Sequence, residues 1–87
     1  TYIESRRKDI LSIFAALDLS DYERIRWIGH KMHGSGTGYG FPEITAAGER
    51  LELAADQGNE QEIRAQVREL SRSLDVVEQE LKQRSRS

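Results

Sequence analysis

The sequence contains no cysteine and one proline among its 87 residues, and it has no long hydrophobic run. The absence of cysteine excludes disulfides, thiolate nucleophiles and cysteine-ligated metal centres. No apolar stretch approaches the roughly 18 residues of a membrane span, so the sequence predicts no transmembrane helix. With 37% hydrophobic and 32% charged residues and a formal net charge of −2, the composition is typical of a single globular domain.

A chain of this length has little room for an enclosed substrate pocket, because it buries only about 60–65% of its unfolded surface. We therefore expect any chemistry to take place on an exposed surface with the help of a partner. The charges of both signs are mixed, without the basic excess of a nucleic-acid-binding domain. Since the first residue is Thr1 and not methionine, we expect a mature fragment or a domain cut from a longer protein.

Apolar residues recur at helical spacing through four segments, and no segment alternates with the period of a β-strand. The predicted helices span residues 2–17, 20–38, 42–57 and 59–83. The pair Ser20 and Glu23 predicts a capping box at the start of the second helix, and Asn59 with Glu62 predicts one at the fourth. Pro42 fits the first position of the third helix, because a backbone N–H at that position would have no hydrogen-bond partner within the helix.

Four amphipathic helices with short connections predict an all-α, up-down-up-down antiparallel four-helix bundle as a single domain over residues 1–87. The predicted stripe of the first helix is Ile3, Ile10, Ile13, Phe14 and Leu17, and that of the fourth is Ile63, Val67, Leu70, Leu74, Val77 and Leu81. The regular seam of the fourth helix leaves an alternative open, a coiled coil with another chain.

Both histidines, His30 and His33, lie on the predicted second helix. At 100° per residue, His30 points about 140° away from Ile25, nearly opposite the core-facing side. Gly34 follows one turn later, and a glycine inside a helix costs about 1 kcal/mol relative to alanine. We interpret Gly34 as a position without a side chain, which lets another protein approach the His30 imidazole. The alternative is that this glycine serves helix packing or ends the helix.

Other chemistry is excluded by the pattern. Two histidines three residues apart are too few ligands for a structural zinc site, so we predict no metal site. The glycine-rich stretch 34–40 follows a helix and lacks the Gly-Lys-Ser/Thr ending, so it is neither a dinucleotide fingerprint nor a P-loop. No serine or cysteine nucleophile is paired with a base.

One further spacing is informative. His30 is followed by Met32, His33 and Gly34, and at longer distances by Gly40, Ile44 and Leu51. This arrangement resembles the histidine-containing phosphotransfer (HPt) domain of bacterial multistep phosphorelays. In that family a phosphorylated histidine precedes a hydrophobic residue at +2, usually a lysine at +3 and a glycine at +4. Here His33 replaces the usual lysine.

The resemblance implies a phosphoryl carrier without autonomous catalytic activity. His30 would accept a phosphoryl group from a receiver-domain aspartyl phosphate and pass it to another receiver, with His33 and Gly34 supporting the phosphoryl group. The implied partners are response-regulator receiver domains and a sensor or hybrid histidine kinase. The domain would have no cofactor of its own, Mg²⁺ being held by the receiver, and would be a cytoplasmic monomer without nucleic-acid or membrane contact.

Three residues beside His30 on the predicted helix, Arg26, Trp27 and Lys31, are expected to contact the receiver. For Trp27 the alternative is packing against the first or fourth helix, and for Arg26 it is a solvated charge. The alternative for the whole domain is an HPt-like interaction module that docks a receiver or another helical partner without accepting phosphate.

Overall fold

A computed structural model describes the backbone of residues 1–39 and 41–86, and all side chains among these except 36–39, 85 and 86. The helices are α1 Tyr2–Asp18, α2 Tyr22–Tyr39, α3 Pro42–Asp56 and α4 Glu60–Arg86. They pack in the pairs α1–α2, α2–α3, α3–α4 and α1–α4, so each helix contacts two neighbours. The described residues contain no strand, and the prediction of an all-α four-helix bundle is confirmed.

Of the two predicted N-capping residues, the structure has one in the capping position and one outside it. Asn59 caps α4, since its Oδ1 accepts a hydrogen bond from the Glu62 amide at 3.1 Å. Its own amide donates to the carbonyl of Ala54 at 2.9 Å and not to Glu62, so only half of the predicted capping box forms. At α2 the cap is Asp21, whose Oδ1 accepts from the Arg24 amide at 3.1 Å. Ser20 has a positive φ of 53° and lies outside the helix, so the predicted capping box at Ser20 is wrong. The chain turns at this residue after α1, which leaves the next residue in the capping position.

The core is built from the apolar stripes of all four helices. Its fully buried large side chains are Ile13, Ile25, Met32, Ile44, Leu51, Ile63, Leu70 and Leu74. Two predicted stripe residues, Phe14 and Leu81, are more exposed than expected, at 40% and 42%. Phe14 lies at the edge of the α1 stripe, and Leu81 belongs to the part of the 27-residue α4 that extends past the 15-residue α3. Within the described part of the chain, no helix has the length and hydropathy of a membrane span.

α2 and α3 approach one another closely at two glycines, Gly29 and Gly48. A Cβ atom on Gly48 would lie 2.5 Å from the backbone nitrogen of His33 and 2.8 Å from the carbonyl oxygen of Gly29. A Cβ atom on Gly29 would lie 2.7 Å from the backbone nitrogen of Glu52. Because no side chain separates the two backbones here, the contact fixes the register of α2 against α3.

A methyl group at Gly48 would push the two helices apart, because it meets backbone atoms that cannot rotate away. We expect Gly48→Ala to lower the free energy of unfolding by about 1–3 kcal/mol, the usual cost of overpacking, as measured by urea denaturation. Gly34→Ala is the matched control. A Cβ there has nothing within 4 Å, so better helix propensity should raise stability by about 1 kcal/mol. Equal stability of the two variants would contradict the close approach.

Polar contacts tie α1 to α2. The Nη1 atom of Arg6 donates a hydrogen bond to Ser35 Oγ at 2.6 Å, and its Nε lies 2.9 Å from the carboxylate of Asp9. Burial raises the pKa of Asp9 above its usual value, and the positive charges of Arg6 and Lys31 offset this only in part. The carboxyl of Asp9 therefore binds a proton more tightly in the folded state than in the unfolded state.

A raised pKa in the folded state means that protonation of Asp9 stabilises the fold. The quantity to compare is the free energy of unfolding of the unsubstituted domain minus that of Asp9→Asn. We expect this difference to rise as the pH falls from neutral towards 3.8, the ordinary pKa of this carboxyl. Urea unfolding of both proteins at a series of pH values measures the difference. A difference that stays constant or shrinks on acidification would show that burial does not dominate at Asp9.

Candidate functional site

His30 lies near the middle of α2, and its side chain is 60% exposed. The buried residues Ile28 and Met32 flank it, with exposures of 5% and 0%, and anchor the helix on both sides. Gly29, the residue before it, forms the backbone contact with α3. The imidazole therefore projects outward from a firmly held stretch of helix.

Glu52 on α3 contacts the His30 imidazole. Its carboxylate oxygens lie 3.1 and 3.4 Å from the ring nitrogen Nδ1. Because a carboxylate accepts hydrogen bonds and does not donate them, this contact favours the tautomer in which Nδ1 carries the proton and donates a hydrogen bond to Glu52. In the neutral ring the other nitrogen, Nε2, is then unprotonated and has a lone pair available for nucleophilic attack.

Two of the predicted docking residues, Trp27 and Lys31, lie next to His30 on the exposed side of α2. Trp27 is 56% exposed, and its indole stacks on the imidazole with ring centroids 5.8 Å apart and planes inclined by 18°. The amino group of Lys31 lies 5.8 Å from the centre of the indole. The structure thus brings the predicted phosphoacceptor, the tryptophan and a cation into one cluster.

A shallow groove between α2 and α3 runs along the other side of His30. It is lined by Arg26, His33, Glu49, Glu52, Leu53 and Asp56. This places the remaining predicted docking residue, Arg26, and the predicted phosphoryl-supporting residue, His33, together. Three of the lining side chains are carboxylates, yet in the described part of the chain no three His, Asp or Glu side chains are arranged to hold a metal ion.

Gly34 lies on the exposed surface of α2 one turn after His30. A Cβ atom at this position would have no atom of the described residues within 4 Å, so among these residues the space beside the glycine is open. The backbone is therefore accessible next to the imidazole. Gly40, the later glycine of the predicted motif, lies outside the described residues.

Sequence reasoning missed Glu52, which is the hydrogen-bond partner of His30. It is 22 residues away on another helix, where no local periodicity connects the two. The sequence contains one indication of this contact, the small residues Gly29 on α2 and Gly48 on α3. Glu52 follows Gly48 by about one helical turn, so a contact between the two glycines also places Glu52 beside His30.

Comparison with known proteins places the chain in a family. The family model of the Hpt domain matches residues 1–85 of the 87. The chain belongs to the Hpt domain family. The resemblance found in the sequence is thereby confirmed. Hpt domains act in phosphorelays as histidine phosphotransfer modules and interact with receiver domains and kinases. No curated protein and no solved structure matches the chain significantly.

Removal of the Glu52 carboxylate from the Hpt domain removes the acceptor of the Nδ1 proton. We expect Glu52→Leu to lower the population of the Nδ1-protonated tautomer of His30, because nothing then favours that nitrogen over Nε2. The nitrogen NMR shifts of both ring atoms measure this population, at a pH well above the ordinary titration range of histidine.

Glu49→Leu is the matched control for this substitution. It removes the same charge from the same groove but leaves the contact between Glu52 and His30 in place. An unchanged tautomer in Glu52→Leu, or an equal change in both variants, would contradict the assignment.

Proposed function

We propose that this Hpt domain is a phosphoryl carrier in a phosphorelay and that His30 is its phosphoacceptor. One observation carries the proposal. The contact of Glu52 with Nδ1 leaves Nε2 of an exposed imidazole unprotonated and free to attack. A surface histidine without a chemical role needs no carboxylate from a neighbouring helix to select its tautomer.

In the proposed reaction, Nε2 of His30 attacks the phosphorus of an aspartyl phosphate on a receiver domain. An N–P bond forms while the P–O bond of the acyl phosphate breaks, and the aspartate leaves as a carboxylate. The ring keeps its Nδ1 proton and becomes positively charged, and the carboxylate of Glu52 stabilises that charge. Attack by a second receiver aspartate reverses these changes and restores the neutral imidazole.

The receiver is proposed to supply Mg²⁺ and the positive groups that neutralise the phosphoryl oxygens. The Hpt domain supplies position, since it holds the nucleophile on a fixed helix next to the open space at Gly34. On this proposal it needs no cofactor of its own, does not catalyse transfer alone and works as a cytoplasmic monomer. His33, from the adjoining groove, would donate a hydrogen bond to the phosphoryl group.

The proposed docking face consists of Arg26, Trp27 and Lys31, which are all exposed and surround His30. Two of them are cations and complement the acidic residues that hold Mg²⁺ in a receiver. Trp27 offers a large apolar surface of the kind that often anchors an interface. A sensor or hybrid histidine kinase would supply the phosphoryl group at the start of the pathway.

The carrier function is tested by incubation with a phosphorylated, radiolabelled receiver. We expect label on the Hpt domain that survives alkali and is lost in acid, as for a phosphohistidine. His30→Gln should abolish the label because it removes the nucleophile, whereas His33→Gln should retain it at a reduced rate.

Label that persists in His30→Gln would contradict the assignment of the phosphoacceptor. If the domain binds phosphorylated receivers but takes up no label from any of them, the alternative function is favoured. The domain would then be an interaction module that docks without accepting phosphate.

A further inference from the structure

The contact with Glu52 does not by itself fix the plane of the His30 ring. The carboxylate holds the ring at one atom, Nδ1, and the side chain is 60% exposed. Such a ring can still tilt about its one hydrogen bond. In-line transfer requires the Nε2 lone pair to point at the phosphorus, so each tilt misdirects the nucleophile. A second contact, made with the face of the ring, would define its orientation.

Trp27 makes a contact of this kind. It precedes His30 by three residues, so the two side chains are neighbours on successive turns of α2. The centroid distance of 5.8 Å and the inclination of 18° lie in the range of stacked aromatic pairs. The indole therefore lies against a face of the imidazole, whereas Glu52 contacts its edge at Nδ1.

The indole has a favourable contact of its own. Lys31 follows Trp27 by four residues, and its amino group lies 5.8 Å from the indole centre. This is within the distance at which a cation is attracted to a tryptophan ring. Lys31 therefore favours the indole position that stacks on His30.

Stacking leaves the direction of attack open. The lone pair of Nε2 lies in the plane of the imidazole, whereas Trp27 covers a face. Glu52 binds the other nitrogen of the ring, on the far side of Cε1. The two contacts therefore restrain the ring without occupying the space in front of Nε2.

We propose that Trp27 is a positioning residue for phosphorylation of His30. The indole sets the plane of the ring, Glu52 sets which nitrogen is protonated, and together they present Nε2 to the phosphoryl donor. The proposal rests on His30 being the phosphoacceptor. It gives Trp27 a role inside the domain that requires no partner, separate from contact with a receiver.

The test uses phosphoramidate, a small N-phosphoryl donor that has no surface to dock. The N–P bond to His30 forms as the N–P bond of the donor breaks, and ammonia leaves. Trp27→Phe keeps an aromatic ring for stacking, and Trp27→Leu keeps apolar bulk without one. We expect Trp27→Leu to be phosphorylated about three- to tenfold more slowly, the size of effect that an aromatic stack supplies. Trp27→Phe should remain close to the unsubstituted domain.

Phosphorus NMR measures these rates and also distinguishes phosphate on Nε2 from phosphate on Nδ1. Proton NMR provides a second readout, because a stacked indole shifts the His30 ring protons through its ring current. This shift should persist in part in Trp27→Phe and disappear in Trp27→Leu. Since Trp27 is 56% exposed, neither substitution opens the core.

With phosphoramidate, the proposal is overturned if Trp27→Leu reacts at the rate of the unsubstituted domain or if Trp27→Phe reacts as slowly as Trp27→Leu. It is also overturned if the unsubstituted domain takes no phosphate at Nε2. A loss in Trp27→Leu that occurs only with a phosphorylated receiver would also overturn it and indicate docking alone. A domain phosphorylated by phosphoramidate but by no receiver would contradict the carrier function, while the variant rates would still decide the role of Trp27.

Discussion

The backbones of α2 and α3 meet at Gly29 and Gly48, where an added Cβ atom would lie 2.5–2.8 Å from opposing backbone atoms. At this separation any side chain would push the helices apart. A shift of one helix by a turn would bring larger residues into the contact, so the shape of the two backbones opposes a change of register. His30 is the residue after Gly29, and Glu52 lies one turn after Gly48. The contact that joins the two helices therefore also brings the carboxylate to Nδ1 of the imidazole.

Glycine inside a helix normally weakens it by about 1 kcal/mol relative to alanine. At Gly29 and Gly48 the close packing of α2 on α3 offsets this cost within the domain. Gly34 is different, because a Cβ atom there would meet no atom of the described residues within 4 Å. An approach to the backbone by something outside the domain would account for a glycine at this position. This contrast supports the proposed approach of a receiver to His30.

Local patterns were sufficient to predict the fold and the outward direction of His30, because both depend on spacing within single helices. The capping error shows where such patterns fail. Ser20 and Asp21 are both good capping residues, and the left-handed backbone at Ser20 decides between them. Glu52 could not be placed from one helix, since its contact with His30 depends on the register between two. The stacking of Trp27 is a choice of side-chain rotamer that spacing along α2 does not determine.

The carboxylates beside His30 suit the positive charge of a phosphorylated ring better than they suit the phosphoryl group. Glu52 contacts Nδ1, and the adjoining groove holds two further carboxylates, Glu49 and Asp56, beside a single arginine, Arg26. A carboxylate at Nδ1 stabilises the positive charge that the ring acquires when Nε2 bonds phosphorus, but it repels phosphoryl oxygens. A site built to hold a phosphate surrounds it with cations and N–H donors. On the proposed function, this arrangement leaves most of the neutralisation of the phosphoryl charge to the receiver. The carrier contributes the hydrogen bond from His33 to the phosphoryl group, while its carboxylate at Nδ1 stabilises the ring.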